Sequence, residues 1–190
     1  MDIKSKVILG LASLLLIPLY FMPFWTIDMS APQYPEGIGM HIHINDVTGH
    51  AKHDLTSINQ LNHYIGMKEI HKEDFKEFEI MPWVFAGMII LGLVAAATGS
   101  FKLAITWLVL MVIIGIVGFV DFYLWGHDYG HNLNPDAAIK VPGMSYQPPL
   151  FGCKQLLNIN ACSWPTTGSI FIGLSFIMTA GVVGFEKFKK

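Results

Sequence analysis

The side chains in this sequence best suited to chemistry are its eight histidines and ten methionines. Neutral imidazole binds copper, zinc, iron and nickel, and thioether sulfur selects Cu(I). All eight histidines (His41, His43, His50, His53, His63, His71, His127 and His131) fall in two polar segments, about 26–79 and 126–165. Six methionines, Met22, Met29, Met40, Met67, Met81 and Met144, lie in or beside the same segments. His41 and His43 share one face if the chain is extended there, because strand side chains alternate with period two. His63 and Met67, like His127 and His131, stand four residues apart and share a face if locally helical. His50 and His53 are spaced to converge in a turn. Asp46, Asp54, Asp121 and Asp128 are placed to orient imidazoles from behind. His41, His43, His63, Met67, His127 and His131 are therefore the candidate metal ligands, with copper the candidate ion. None of these spacings forms a specific motif such as HExxH, and exposed histidines serve equally well as ordinary hydrogen-bonding groups.

Cys153 and Cys162 sit together in the second polar segment. Neither a CxxC redox motif nor a CxxCH haem-attachment motif occurs. In an oxidising compartment they form a disulfide closing a short loop; the competing reading is a thiolate metal site. No catalytic constellation is identified.

The elements that carry these residues are legible from hydropathy. Apolar types make up 53% of the chain and charged types 14%, and there is no arginine, against roughly a quarter charged in soluble domains. Nothing forms the basic face that nucleic acid requires. Four stretches, about 7–24, 80–98, 103–122 and 166–185, have the roughly 20 apolar residues needed to cross a bilayer as a helix. Aromatics such as Tyr20, Trp25, Trp83 and Trp125 mark their interfaces. Gly99-Ser100 leaves room only for an antiparallel hairpin of the second and third spans. Lys4 and Lys6 ahead of the first span also suit a signal peptide, but Pro18 and Pro23 interrupt it and no small-residue cleavage site follows. Asp121 stands at a span boundary, where an acid either carries protons or simply marks the interface. No histidine lies within any span, which argues against haem b between the helices.

Lysine placement sets the orientation. Lys4, Lys6, Lys102, Lys187, Lys189 and Lys190 face Asp2 and Glu186 on one side, six lysines against two acids and a net +4. The other side has six lysines against twelve acids, a net −6. The positive-inside rule then puts both termini in the cytoplasm and segments 26–79 and 126–165 outside. The expected fold is an all-α, four-span protein forming one domain over 1–190, with two ordered loops outside the membrane. Met40-His41-Ile42-His43-Ile44 alternates and reads as a short strand in the first loop. A helix capped by Asp54 or Thr56 runs through Tyr64, and Asn158 to Trp164 reads as a docking surface or a compact cap.

Two stretches carry a resemblance. One is Ala31-Pro32-Gln33-Tyr34-Pro35-Glu36-Gly37 with Asn59-x-x-Asn62-His63-Tyr64-Ile65-Gly66-Met67-Lys68. The other runs from Tyr129-Gly130-His131-Asn132-Leu133-Asn134-Pro135 through Ile139-Lys140-Val141-Pro142-Gly143-Met144 to Gln147-Pro148-Pro149-Leu150-x-Gly152. Together with the four-span layout they resemble a small membrane-protein family, often called NosB, encoded beside the periplasmic nitrous oxide reductase of clade II gene clusters. The resemblance implies a bacterial inner membrane location with the two loops periplasmic and an accessory role beside a copper enzyme, and it carries over no catalytic residues. The cysteines and several histidines are not part of it.

The expected function is a non-enzymatic accessory protein that docks, anchors or helps mature a periplasmic copper enzyme, with the lipid bilayer as its other partner. Two other classes compete. One is a membrane electron carrier passing electrons from quinol to a periplasmic reductase, which lacks any flavin or haem motif here. The other is a structural anchor without metal.

Overall fold

In the computed structural model, which describes residues 1–189, four helices are long and apolar enough to cross a membrane: Ile3–Tyr20, Glu77–Thr98, Phe101–His131 and Thr167–Phe188. The chain thus has the build of a multi-pass membrane protein. The first of these is α1 (Ile3–Leu14) continued by a 3-10 turn over Ile17–Tyr20, where Pro18 cannot extend an α-helix. The others are α3 (Glu77–Thr98), α4 (Phe101–His131) and α5 (Thr167–Phe188). Gly99, at φ 66°, ends α3 in the left-handed region, and Ser100 opens α4 by accepting the Leu103 amide. At this end the Met1 amine donates to the Gly99 carbonyl, and Lys189 pairs with Asp2 at 3.1 Å. Both described ends of the chain and the hairpin turn therefore meet at one end of the bundle. The helices close on fully buried Trp107, whose indole donates to the Met88 carbonyl at 2.8 Å.

At the other end stands a five-stranded antiparallel sheet, ordered β3-β2-β1-β5-β4. Its strands are β1 (Trp25–Ala31), β2 (Tyr34–Ile42), β3 (Val47–Gly49), β4 (Gly152–Leu156) and β5 (Ile159–Pro165). The expectation of an all-α protein is overturned: the class is mixed α/β. Of the single short strand expected at Met40–Ile44, Met40–Ile42 is the end of β2 while His43 and Ile44 lie beyond it; the Ala31–Gly37 run is a hairpin, and Asn158–Trp164 is mostly β5. The two polar segments are likewise one body, because β1 from the first pairs with β5 from the second along its length. Trp25-Thr26-Ile27-Asp28-Met29-Ser30 does alternate, with Trp25 and Ile27 buried and Asp28 and Ser30 more open, but it abuts an apolar span that masks the pattern.

The sheet is fixed directly to the spans. β1 follows the first span at Trp25, and β5 runs into α5. Thr166 and Gly168 amides donate to the Phe24 and Pro23 carbonyls at 3.0 and 2.9 Å. Helix α4 has 31 residues, about 46 Å at 1.5 Å per residue, so it overruns a hydrocarbon core of about 30 Å. Its last turns carry Phe122, Trp125 and Tyr129 against the sheet. The amphipathic helix α2 (Asp54–Ile65) packs Ile58 on the same face and is ended by Gly66 at φ 82°.

Candidate functional site

Period-two alternation gives the sheet two unlike faces. Trp25, Ile27, Ile38 and Met40 enter the core beneath α2 and α4. Thr26, Asp28, Gly39, His41 and His43 belong to the opposite, open face. The open face brings three histidines together. His41 pairs in register with Thr26 on one side and Thr48 on the other, and its ring lies 6.5 Å from His43 and 4.1 Å from His50. His50 lies over Gly39, where a Cβ would overlap its ring, so this glycine is a steric requirement of the site. One His50 nitrogen meets the Thr26 hydroxyl at 2.8 Å and the other lies 3.4 Å from Asp28 Oδ1. His43 Nε2 meets the Thr48 hydroxyl at 3.2 Å. His41 Nδ1 is buried without a hydrogen-bond partner.

The electrostatics follow from this crowding. Burial, then the neighbouring His50 and His43, push the His41 pKa below the ordinary histidine value, against a weaker opposing pull from Asp28. Burial also lowers His43, with Asp46 opposing. Both rings therefore favour the neutral form that ligates metals.

The remaining candidates are dispersed. His127 and His131 do share a helix face, stacked with ring centroids 4.1 Å apart, at the exposed end of α4. His131 Nδ1 lies 3.0 Å from the His127 carbonyl, which leaves its Nε2 outward. His63 and Met67 part company, because the helix stops at Ile65 and the left-handed Gly66 turns the chain. His63 lines an open groove while Met67 packs into the core. His53 is the residue before α2, and His71 pairs with Glu69 at 3.0 Å. Asp46 and Asp128 face Lys72 and Lys68, and Asp54 accepts the Gly39 and Ala51 amides. The two carboxylates that do approach a ring, Asp28 beside His50 and Glu69 beside His71, were not among the acids expected to do so.

Cys153 and Cys162 are directly paired across β4 and β5 and form a disulfide. This removes the thiolate site for the oxidised chain. Among the described residues no group of three or more His, Cys, Asp or Glu side chains is arranged to hold a metal ion. The open face therefore offers two close imidazoles with a nearby carboxylate, too few groups to complete a coordination shell by themselves. No protein-family model matches the sequence, and no curated protein is significantly similar to it.

Proposed function

We propose that this chain is a non-enzymatic accessory protein of a bacterial cytoplasmic membrane, with termini inside and the sheet domain in the periplasm. There it docks a copper enzyme, of the nitrous oxide reductase system, or that enzyme's maturation machinery, and handles copper in transit. The observation that carries this reading is the incomplete histidine unit. His41 and His50, 4.1 Å apart and backed by Asp28, lie on an open sheet face that is anchored to the membrane spans. Two imidazoles short of a full coordination set suit a transfer site, because a partner can complete it. The lysine and acid partition supports the orientation, and the resemblance in both polar segments supports the partner.

The test is co-purification from native membranes, combined with competition of the purified protein against a chromogenic Cu(I) chelator. Enrichment of a copper reductase or copper-insertion component is expected, with copper retention weakened in His41→Ala/His50→Ala. A protein that captures no copper component and takes no copper from the chelator would end this reading.

A further inference from the structure

The covered face of the sheet holds a second feature. Between it, α2 and the end of α4 lies a cavity of about 50 Å³, room for more than one water-sized body. Three methionines from three separate elements reach its wall: Met29 from β1, Met40 from β2 and Met67 from the turn after α2. Trp125 of α4 and Tyr146 of the 132–151 connection complete the part that matters. Met40 and Tyr146 are each 3% exposed. The Tyr146 hydroxyl and the Trp125 indole nitrogen are both buried without a hydrogen-bond partner.

We infer that this chamber is a Cu(I) site formed by the thioethers of Met29, Met40 and Met67. The lining selects the ion. It contains no carboxylate, imidazole or thiolate, and its few oxygens, on Asn62, Tyr129 and Tyr146, are neutral, a poor set for hard divalent cations or for zinc. Neutral sulfur ligands favour a soft monovalent ion, and Cu(I) is the biological one. The Tyr146 oxygen is an unused lone-pair donor at the same wall. Leaving a buried hydroxyl unpaired is unfavourable, and a ligand in the chamber offsets that. The Trp125 indole adds a face that attracts cations. Methionine is also a common gap-filler in cores. Three methionines around one void, beside the unpartnered Tyr146 hydroxyl, go beyond gap-filling.

The inference rests on the copper-handling reading above, but it moves the stored ion to the covered face and leaves the histidines as the exposed exchange point. The decisive experiment uses detergent-purified full-length protein, loaded anaerobically with Cu(I). X-ray absorption at the copper edge reads the ligand atoms, and chelator competition reads the affinity. Sulfur in the first shell of the wild type is expected. Met40→Leu/Met67→Leu, a volume-conserving change that a core tolerates, should lose about tenfold or more in affinity, roughly what one lost ligand interaction worth 1.4 kcal/mol removes. His41→Gln/His50→Gln should keep the sulfur signal. A wild-type shell of nitrogen and oxygen alone overturns the chamber whatever the variants do. If copper is then lost in the histidine variant, the accessory role survives without the chamber. A folded methionine variant that competes as well as wild type also overturns it, and a wild type that binds no copper ends both readings.

Discussion

The two faces of the sheet differ by one residue along the strand and by everything else. Met40 is sealed in the core, while His41, its neighbour, stands on the open face beside His50. Mixed imidazole and thioether ligation is the simplest reading of Met40-His41-Ile42-His43, yet a strand sends those two ligand types to opposite sides. Strand geometry therefore sorts the soft sulfurs from the borderline nitrogens. The methionine sulfurs fall on the covered face and the imidazoles of His41 and His50 on the other.

Stability separates the faces most sharply. Ile27 is 1% exposed on the covered face, and Ile27→Ala should cost about 2–5 kcal/mol in transfer and cavity terms. Thr26→Ser, one residue away on the other face, should cost about 1 kcal/mol or less, because it removes only one methyl and keeps the hydroxyl that bonds the Met40 carbonyl and His50. Thermal unfolding of the detergent-solubilised protein compares the two, and equal losses would erase the distinction between the faces. Next in size is the disulfide. Replacing Cys153 and Cys162 with serine should lower stability by about 2–3 kcal/mol, through the loop entropy returned to the unfolded chain. Reduced wild type should unfold at the same temperature as that variant, and an unchanged melting temperature would show that strand pairing alone holds β4.

A third effect belongs to the open face alone. His41 and His43 are held below the ordinary histidine value of 6.5 by burial. The unfolded chain therefore binds protons that the folded chain resists, and stability rises with pH through the window below 6.5. The contribution is complete above that window and is lost as pH falls through it. Melting temperatures of wild type and His41→Gln across pH 4–7.5 read this directly: the variant should be flatter in acid. A parallel pair of curves would mean that the His41 ring is as wet as a free imidazole.

The spans were legible because hydrocarbon imposes length and polarity on them. Gly99-Ser100 announced its turn, and Cys153 and Cys162 were close enough in sequence to suggest their bond. The sheet was hidden for a physical reason. The pairing that joins its two halves, β1 with β5, unites strands far apart in the chain, so no local window contains both; the local pairings of β1 with β2 and β4 with β5 lie beside apolar spans and in Pro- and Gly-rich runs that mask their alternation. The His41 and His43 face was readable from alternation. The approach of His50 was not, since it depends on β3 folding back on β2 and on Gly39 leaving room for the ring. Met67 was misplaced because α2 ends at Ile65, capped by Gly66, two residues short of the Met67 that a continuous i, i+4 pair requires.

The smallest expected effect tests whether proximity alone makes a site. His127 and His131 are as close as His41 and His50, with ring centroids 4.1 Å apart in both pairs. Their settings are opposites. The α4 pair is exposed at a helix end and bonds mainly within its own helix, whereas the sheet pair is flanked by Thr26, Asp28 and Thr48. Exposed side chains without buried partners change stability by no more than about 0.5 kcal/mol when truncated, so His127→Ala/His131→Ala should melt with wild type. Chelator competition should change little as well, because two exposed rings lack the supporting groups that hold ligands in place, a lack that costs roughly 10–100-fold in metal affinity. A copper loss in this variant as large as in His41→Ala/His50→Ala would show that helix spacing suffices, and would move the exchange point from the sheet to the end of α4.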